Sequence, residues 1–141
     1  MPQRKLEELT EDECFTLLGQ EVVGRLVYVD DLGPLAIPVN YALDGRNVVF
    51  RTEVGSKVDA LRHPLAFEVD HVDPVERSGW SVLVRGTGRL VELATVPEML
   101  HRMAGRFPAP WAVGHHNTWV AISPDAVTGR NLAAPFFAPL V

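Results

Sequence analysis

Several features that define whole classes of protein are scarce in this sequence of 141 residues. Its single cysteine, Cys14, excludes an intramolecular disulfide. No apolar run approaches the ~18 residues that a bilayer-spanning helix requires. Positive charge is in deficit, since the formal net charge is -5 at pH 7, whereas nucleic-acid-binding proteins usually carry a basic surface. We therefore expect neither a membrane nor a nucleic acid as a partner.

Motifs for metal binding and for hydrolytic or nucleotide chemistry are missing as well. The histidines do not have the i, i+4 or cysteine-rich spacing of a metal site, so we expect no bound metal. Neither the P-loop nor the Gly-x-Gly-x-x-Gly dinucleotide turn occurs, and a Gly-x-Ser-x-Gly nucleophile motif is absent. Cys14 is interpreted as a small core residue, because no base partner is evident. Catalytic residues are therefore left unassigned.

The composition is that of a globular protein, with 47% hydrophobic and 22% charged residues. A chain of this length buries an adequate core without disulfides, so we expect one domain over residues 1–141. No apolar stretch follows the opening Met-Pro-Gln-Arg-Lys, which argues against a secretory signal. We interpret the protein as cytoplasmic.

Hydrophobic periodicity predicts one helix followed by a meander of strands. Thr10 and Glu13 form a capping box, which predicts that a helix begins there and runs through "EDECFTLLGQ". From Gly24 the period changes to two, and Gly, Pro and Asp residues mark the turns. The segments predicted to pair as three antiparallel strands are "GRLVYVD", "LAIPVNYA" and "NVVFRT".

The second half of the chain is also predicted to be rich in strands. A short helix over "SKVDALRH" precedes strands at "LAFEVDHVD", "WSVLVRGTGRLVEL", "NTWVAISP" and "VTGRNL". Gly86 and Gly88, inside the longest of these, indicate a bend or bulge. Thr95 and Glu98 predict a second capping box, for a helix through "PEMLHRMAGRF". Six or seven strands with few helices favour a mainly antiparallel barrel over a doubly wound sheet.

The stretch "VVFRTEVGSKVDAL", residues 48–61, joins a strand to a helix through unusually polar residues. Arg51 and Lys57 supply positive charge, Thr52 and Ser56 supply hydroxyls, and Gly55 allows a tight turn. Unpaired N–H groups at a helix start favour an anion, so the joint is suited to a phosphate monoester. The alternative is a solvated, basic helix start with no ligand.

The preceding strand, "LAIPVNYA", has one bulky and one small face. Ala36, Pro38, Asn40 and Ala42 make the small face, which leaves room for a flat group, and Pro38 lacks an N–H for a strand ladder. The alternative is an edge strand with nothing bound. A planar group here and a phosphate at the joint could belong to one ligand, and flavin mononucleotide (FMN) is such a ligand.

These segments together resemble a known family. The runs Val-Asn-Tyr, Phe-Arg-Thr, Gly-Ser-Lys and Gly-Trp-Ser-Val, in this order and spacing, are similar to those of the pyridoxamine 5'-phosphate oxidase-like, FMN-binding split β-barrel proteins, especially their short bacterial branch. The resemblance covers about residues 8–131 and leaves an apolar tail at 132–141. It implies a mainly β protein, a six-stranded antiparallel split β-barrel with flanking short helices, which forms a homodimer with flavin sites at the subunit interface.

The resemblance also assigns residues to the cofactor. It implies that the ring is bordered largely by backbone groups, and that one part of each site comes from the other subunit. The residues are Pro38, Val39, Asn40 and Tyr41 at the ring, Phe50, Arg51, Thr52, Ser56 and Lys57 at the phosphate, and Trp80 and Ser81 from the other subunit.

One departure concerns the substrate. The oxidase itself has an Arg-x-His motif near its end that grips substrate phosphate, whereas here Asn131 and Leu132 follow Arg130. We therefore do not expect oxidation of vitamin B6. The expected function is hydride transfer through flavin N5 to or from a small-molecule substrate, with two alternatives: a deazaflavin-dependent reductase of the same fold, or a non-catalytic flavin-binding or storage protein.

A tryptophan outside these runs, Trp111 in "APWAVGHH", has two interpretations. In a loop near a groove it could cap a ring. The alternative is a hydrophobic plug.

Overall fold

The computed structural model describes residues 5–53, 61, 63–111, 114 and 117–133. The helix predicted over "SKVDALRH" and the apolar tail beyond 133 lie outside this part of the chain. The elements are β1 (Lys5–Glu8), α1 (Glu11–Leu18), β2 (Val23–Asp30), β3 (Gly33–Asp44), β4 (Asn47–Thr52), β5 (Leu65–Asp73), β6 (Ser78–Leu90), α2 (Val96–Arg102) and β7 (Thr118–Ala133).

The strands form one antiparallel sheet that closes into a ring. The strand order is β1-β7-β4-β3-β2-β5-β6, and an additional pairing of β6 with β7 completes the circle. The six strands β2 to β7 make up the ring, as predicted for a six-stranded barrel. A seventh strand, β1, was not predicted, and it pairs with the end of β7. The mainly β, split-barrel fold class is therefore confirmed, with one strand more than expected.

Local sequence signals account for the first elements. The capping box of α1 is present, because the Thr10 N–H donates to Glu13 Oε1 at 2.9 Å and the Glu13 N–H donates to Thr10 Oγ1 at 3.2 Å. Cys14 and Leu18 are buried on the inner face of this helix, and burial raises the pKa of the Cys14 thiol. The interpretation of Cys14 as a core residue is confirmed.

Two predictions in the second half of the chain are wrong. Thr95 does not cap α2, because residues Leu93–Thr95 form a 3-10 turn and the Thr95 hydroxyl donates back to the Glu92 carbonyl at 2.8 Å. The two closing strands are one continuous strand, β7, which runs through Pro124. The β6–β7 ladder shifts register between Arg85, opposite Ala126, and Gly86, opposite Pro124. The irregularity predicted near Gly86 is therefore present, but the extra residue, Asp125, lies on β7 and not on β6.

Two apolar clusters hold the ring together. The first fills the barrel, with Phe50, Phe67 and Leu26 at its centre. The second lies outside, where α2 packs Met99 and Met103 against the outward face of β4 and β7.

Candidate cofactor-binding site

The ladder between β3 and β4 opens partway along β3. Tyr41 is in register with Phe50, and from there to the hairpin turn the two strands pair. The earlier part of β3, residues 33–40, pairs with β2 on one side, and no described strand pairs with its other side. Backbone groups of this β3 edge are therefore available to a ligand, and Pro38 lies within the edge, in the segment where sequence suggested an interrupted ladder.

The two faces of β3 are divided as predicted. Ile37 and Val39 point inward and pack against the barrel core. Ala36 and Pro38 are exposed on the outward face, and Asn40 is half-buried beside them. This outward face is low and flat, because its side chains are short.

Tyr41 and Phe50 have structural side chains. Both are buried in the core, and their rings belong to the same apolar cluster. The Tyr41 hydroxyl donates to the Leu18 carbonyl at 2.5 Å and so ties the end of α1 to β3, while burial raises the pKa of the tyrosine. The side chains of these two residues therefore belong to the core, and only their backbone atoms border the opening.

Beyond the opening, β4 pairs with β7, and Arg51 of β4 lies on the outward face. Its guanidinium lies over the Trp119 ring, 5.0 Å from the ring centroid, which holds the cation against the sheet. Thr52 follows on the opposite, inward face and is 3% exposed. Of the residues predicted for the phosphate, Arg51 thus carries its charge on the outward face of the sheet, whereas Ser56 and Lys57 lie outside the described residues.

Trp80 and Ser81 lie at a different end of the barrel. Ser81 is in register with Arg130, whereas Arg51 is in register with Trp119, eleven residues earlier along β7. At ~3.3 Å per residue this separation is roughly 35 Å along the strand, so one protomer does not bring Ser81 to Arg51. A shallow depression of about 240 Å³ surrounds this second position, lined by Leu6, Asp70, Val72, Ser78, Gly79, Trp80, Ser81, Arg130 and Leu132.

Two arrangements near these positions could not be read from sequence. The Trp111 backbone N–H donates to Asn40 Oδ1 at 2.8 Å, which places a loop from the far end of the chain at the β3 opening. On the neighbouring strands, Arg25 contacts both Glu68 and Asp70. Burial, and then Asp70, raise the pKa of Glu68 to about 7, while Arg25 acts in the opposite direction. Both arrangements join residues that are distant in sequence, so neither can be predicted from a local sequence pattern.

The described residues provide neither a metal-binding cluster nor a membrane-spanning helix. Among the residues that the structure describes, no group of three or more His, Cys, Asp or Glu side chains is placed to hold a metal ion. No helix in the same part of the chain is long and apolar enough to cross a bilayer.

Comparison with known proteins identifies the family. The sequence model of the family named pyridoxamine 5'-phosphate oxidase matches residues 10–131. The chain belongs to this family. An uncharacterized protein of Mycobacterium tuberculosis is 38% identical to this pyridoxamine 5'-phosphate oxidase family member over 144 aligned positions, which cover 96% of this chain and 91% of the relative.

Solved structures share both fold and sequence with this family member. An FAD-binding protein of Mycobacterium smegmatis superposes with a TM-score of 0.68 at 30% identity, covering 92% of this chain and 100% of the other. A protein of Corynebacterium glutamicum, assigned to the pyridoxamine 5'-phosphate oxidases, superposes with a TM-score of 0.76 at 27% identity, covering 92% of this chain and 100% of the other. The split-barrel assignment therefore agrees with the comparisons.

Proposed function

We propose that this protein binds a flavin phosphate, FMN, at the β3 opening, and acts as an oxidoreductase on a small molecule. The observation that carries the proposal is the β3 edge, with which no strand of the described residues pairs, beside the outward cation of Arg51. The flavin-binding relative of M. smegmatis supports a flavin as the ligand. That relative binds FAD, whose pyrophosphate is also an anion, so the choice of FMN over FAD rests on the family resemblance and requires a direct binding test.

The residues of the opening fit a planar ring with an anionic tail. Residues 36–40 offer backbone donors and acceptors along one edge, and their short outward side chains leave a flat surface. Arg51 offers a charge-assisted bond to phosphate, and Trp119 orients its guanidinium. A bound flavin supplies hydride transfer at N5, and the protein supplies binding and orientation. No described side chain is assigned as an acid or base.

We also propose that the functional unit is a homodimer. The separation between Arg51 and Ser81 along β7 supports this, because a cofactor that contacts both positions needs Ser81 from a second copy. In such a dimer each site would combine the β3 opening of one protomer with the Trp80 end of its partner. A C2 arrangement then gives two equivalent sites.

The test is a titration of the purified protein with FMN, FAD, riboflavin and a deazaflavin cofactor, compared with the Arg51→Ala variant. We expect the unmodified protein to prefer FMN. Loss of the Arg51 bond should weaken FMN binding by roughly 1.5–3 kcal/mol, about tenfold to over a hundredfold, and leave riboflavin binding nearly unchanged, because riboflavin has no phosphate.

Arg85→Ala is the matched control, since it removes an equal charge from an exposed position in the middle of β6. An Arg51→Ala protein that binds FMN normally would contradict the phosphate assignment. Binding of the deazaflavin alone would favour the deazaflavin-dependent reductase. A protein that binds FMN tightly but passes no electrons to any acceptor would instead be a flavin-binding or storage protein.

A further inference from the structure

Trp111 combines high exposure with a fixed backbone position. The residue is 73% exposed, yet its backbone N–H is bound by the side chain of Asn40 at 2.8 Å. A single exposed hydrophobic residue is ordinary on a protein surface. This one, however, is tied by a specific hydrogen bond to the strand that borders the cofactor site. Within one protomer, Trp111 is therefore not a buried plug.

Asn40 stands where the ladder opens. It directly precedes Tyr41, which pairs with β4, and its side chain lies on the outward face with Pro38. Its amide nitrogen donates weakly to the Val22 carbonyl at 3.5 Å, while its amide oxygen accepts from Trp111. The amide therefore links β3, the residue before β2 and the loop, and it fixes the Trp111 backbone relative to the opening.

Arg51, the cation proposed to bind the phosphate, lies on the same outward face as Asn40. Had the ladder continued past Tyr41 and Phe50, Asn40 would have been opposite Arg51. Asn40 is thus the β3 residue nearest in register to Arg51, and it also holds the Trp111 loop. A ligand whose tail reaches Arg51 would therefore have its ring system within the region that Trp111 borders.

We propose that Trp111 stacks on the planar ring of the bound flavin and that Asn40 is its positioning residue. This inference rests on the proposed flavin site. The indole offers a large aromatic face whose attraction to a planar heterocycle does not depend on the phosphate tail. Because its backbone is already held, little conformational freedom is lost when the ring binds.

The test compares riboflavin and FMN affinities by flavin fluorescence. Trp111→Ala should lower both affinities by the same factor, about tenfold, since the ring is common to both ligands. Trp111→Phe retains an aromatic face and should recover most of the loss. Leu32→Ala, at a 99% exposed position in the β2–β3 turn, is the control and should change neither affinity.

A double-mutant cycle tests the role of Asn40. If Asn40 acts through Trp111, Asn40→Ala weakens riboflavin binding, and the double variant binds no more weakly than Trp111→Ala alone. Additive losses would overturn the positioning role. Unchanged affinities in Trp111→Ala, in a protein that binds FMN, would overturn the stacking contact and leave the proposed function standing. Failure of the unmodified protein to bind any flavin would overturn both.

Discussion

Arg25 holds two carboxylates at once. Its Nη1 lies 3.1 Å from Glu68 Oε1 and 3.2 Å from Asp70 Oδ2, across the pairing of β2 with β5. Partial burial disfavours the charged form of Glu68 most strongly, the neighbouring Asp70 adds to this effect, and Arg25 opposes it. The pKa of Glu68 consequently rises from 4.5 to about 7, so the carboxyl holds its proton more tightly in the folded protein than in the unfolded chain.

The sign of the resulting pH dependence follows directly. Because the folded state binds this proton more tightly, the contribution of Glu68 to stability is present below pH 4.5 and is lost as the pH rises through about 7. We expect Glu68→Gln to remove this component, so that its free energy of unfolding declines less between these pH values than that of the unmodified protein. Urea denaturation at a series of pH values measures both curves.

Glu92→Gln is the control for this experiment, because Glu92 is an exposed carboxylate before the 3-10 turn. Its curve should follow that of the unmodified protein. Parallel curves for the Glu68 variant and the unmodified protein would show that Glu68 titrates alike in the folded and unfolded states.

At the scale of elements, the β6–β7 ladder depends on one glycine. A Cβ added at Gly86 would collide with the Ser123 carbonyl oxygen and lie 3.2 Å from Pro124 Cα. Both obstacles are backbone atoms of the partner strand, which cannot rotate away as a side chain would. The absence of a side chain at Gly86 therefore allows the longest strand pair of the ring to pass a proline.

Gly86→Ala should accordingly lower the free energy of unfolding by about 3 kcal/mol, the upper part of the usual range for overpacking. Gly19→Ala is a suitable counterpart: its φ is -73°, and an added Cβ would lie at ordinary distances of 3.5 and 3.6 Å from α1 carbonyls. That variant should be stabilised by about 0.4–1 kcal/mol through the unfolded state. Chemical denaturation compares the two. A Gly86→Ala protein as stable as the original would require a β6–β7 contact different from the one described.

The elements also show which features sequence can predict. The capping box at Thr10 and the alternation of β3 are local patterns, and each appears in the structure as expected. The irregularity beside Gly86 is present too, but its extra residue lies on the partner strand, β7. The sequence predicts that a strand ends at Pro124, whereas β7 continues past it. The reason is not local, because Pro124 is opposed by a glycine, Gly86, on another strand. Thr95 fits the capping pattern in sequence, yet its hydroxyl donates to the Glu92 carbonyl within a 3-10 turn and does not cap α2.

At the scale of the whole molecule, the predicted site residues fall into two separate groups, one around Arg51 and one at Trp80 and Ser81. The family resemblance assigned both to one flavin, whereas sequence spacing could not show that they lie at different ends of the barrel. The Asn40–Trp111 bond was likewise unpredictable, because it depends on tertiary packing between residues 71 positions apart. Strands can thus be predicted from local sequence patterns. The complete site cannot, because it depends on closure of the barrel and on the proposed association of two protomers.

A mixing experiment examines the shared site of the proposed dimer. Arg51→Ala damages one half of each site, and Ser81→Tyr blocks the other half, so each variant alone should bind little FMN. After subunit exchange at equal concentrations, half of the dimers are mixed, and each mixed dimer contains one intact site. FMN binding should recover to about a quarter of the unmodified capacity, measured at a concentration that leaves both parents largely empty.

Arg51→Ala mixed with itself is the control and should recover nothing. Absence of recovery, in samples where sedimentation demonstrates exchanged dimers, would mean that the two positions do not share a cofactor. A monomer by sedimentation would contradict the dimer itself.

The continuous strand β7 has a consequence for how the protein is made. It pairs with β1, β4 and β6, and it follows all three in the chain. A ribosome therefore releases β4 and β6 with open edges, and the ring cannot close until residues 118–133 have emerged. We expect the nascent chain to depend on this late segment, so interruption of synthesis within β7 should leave exposed strand edges prone to aggregation.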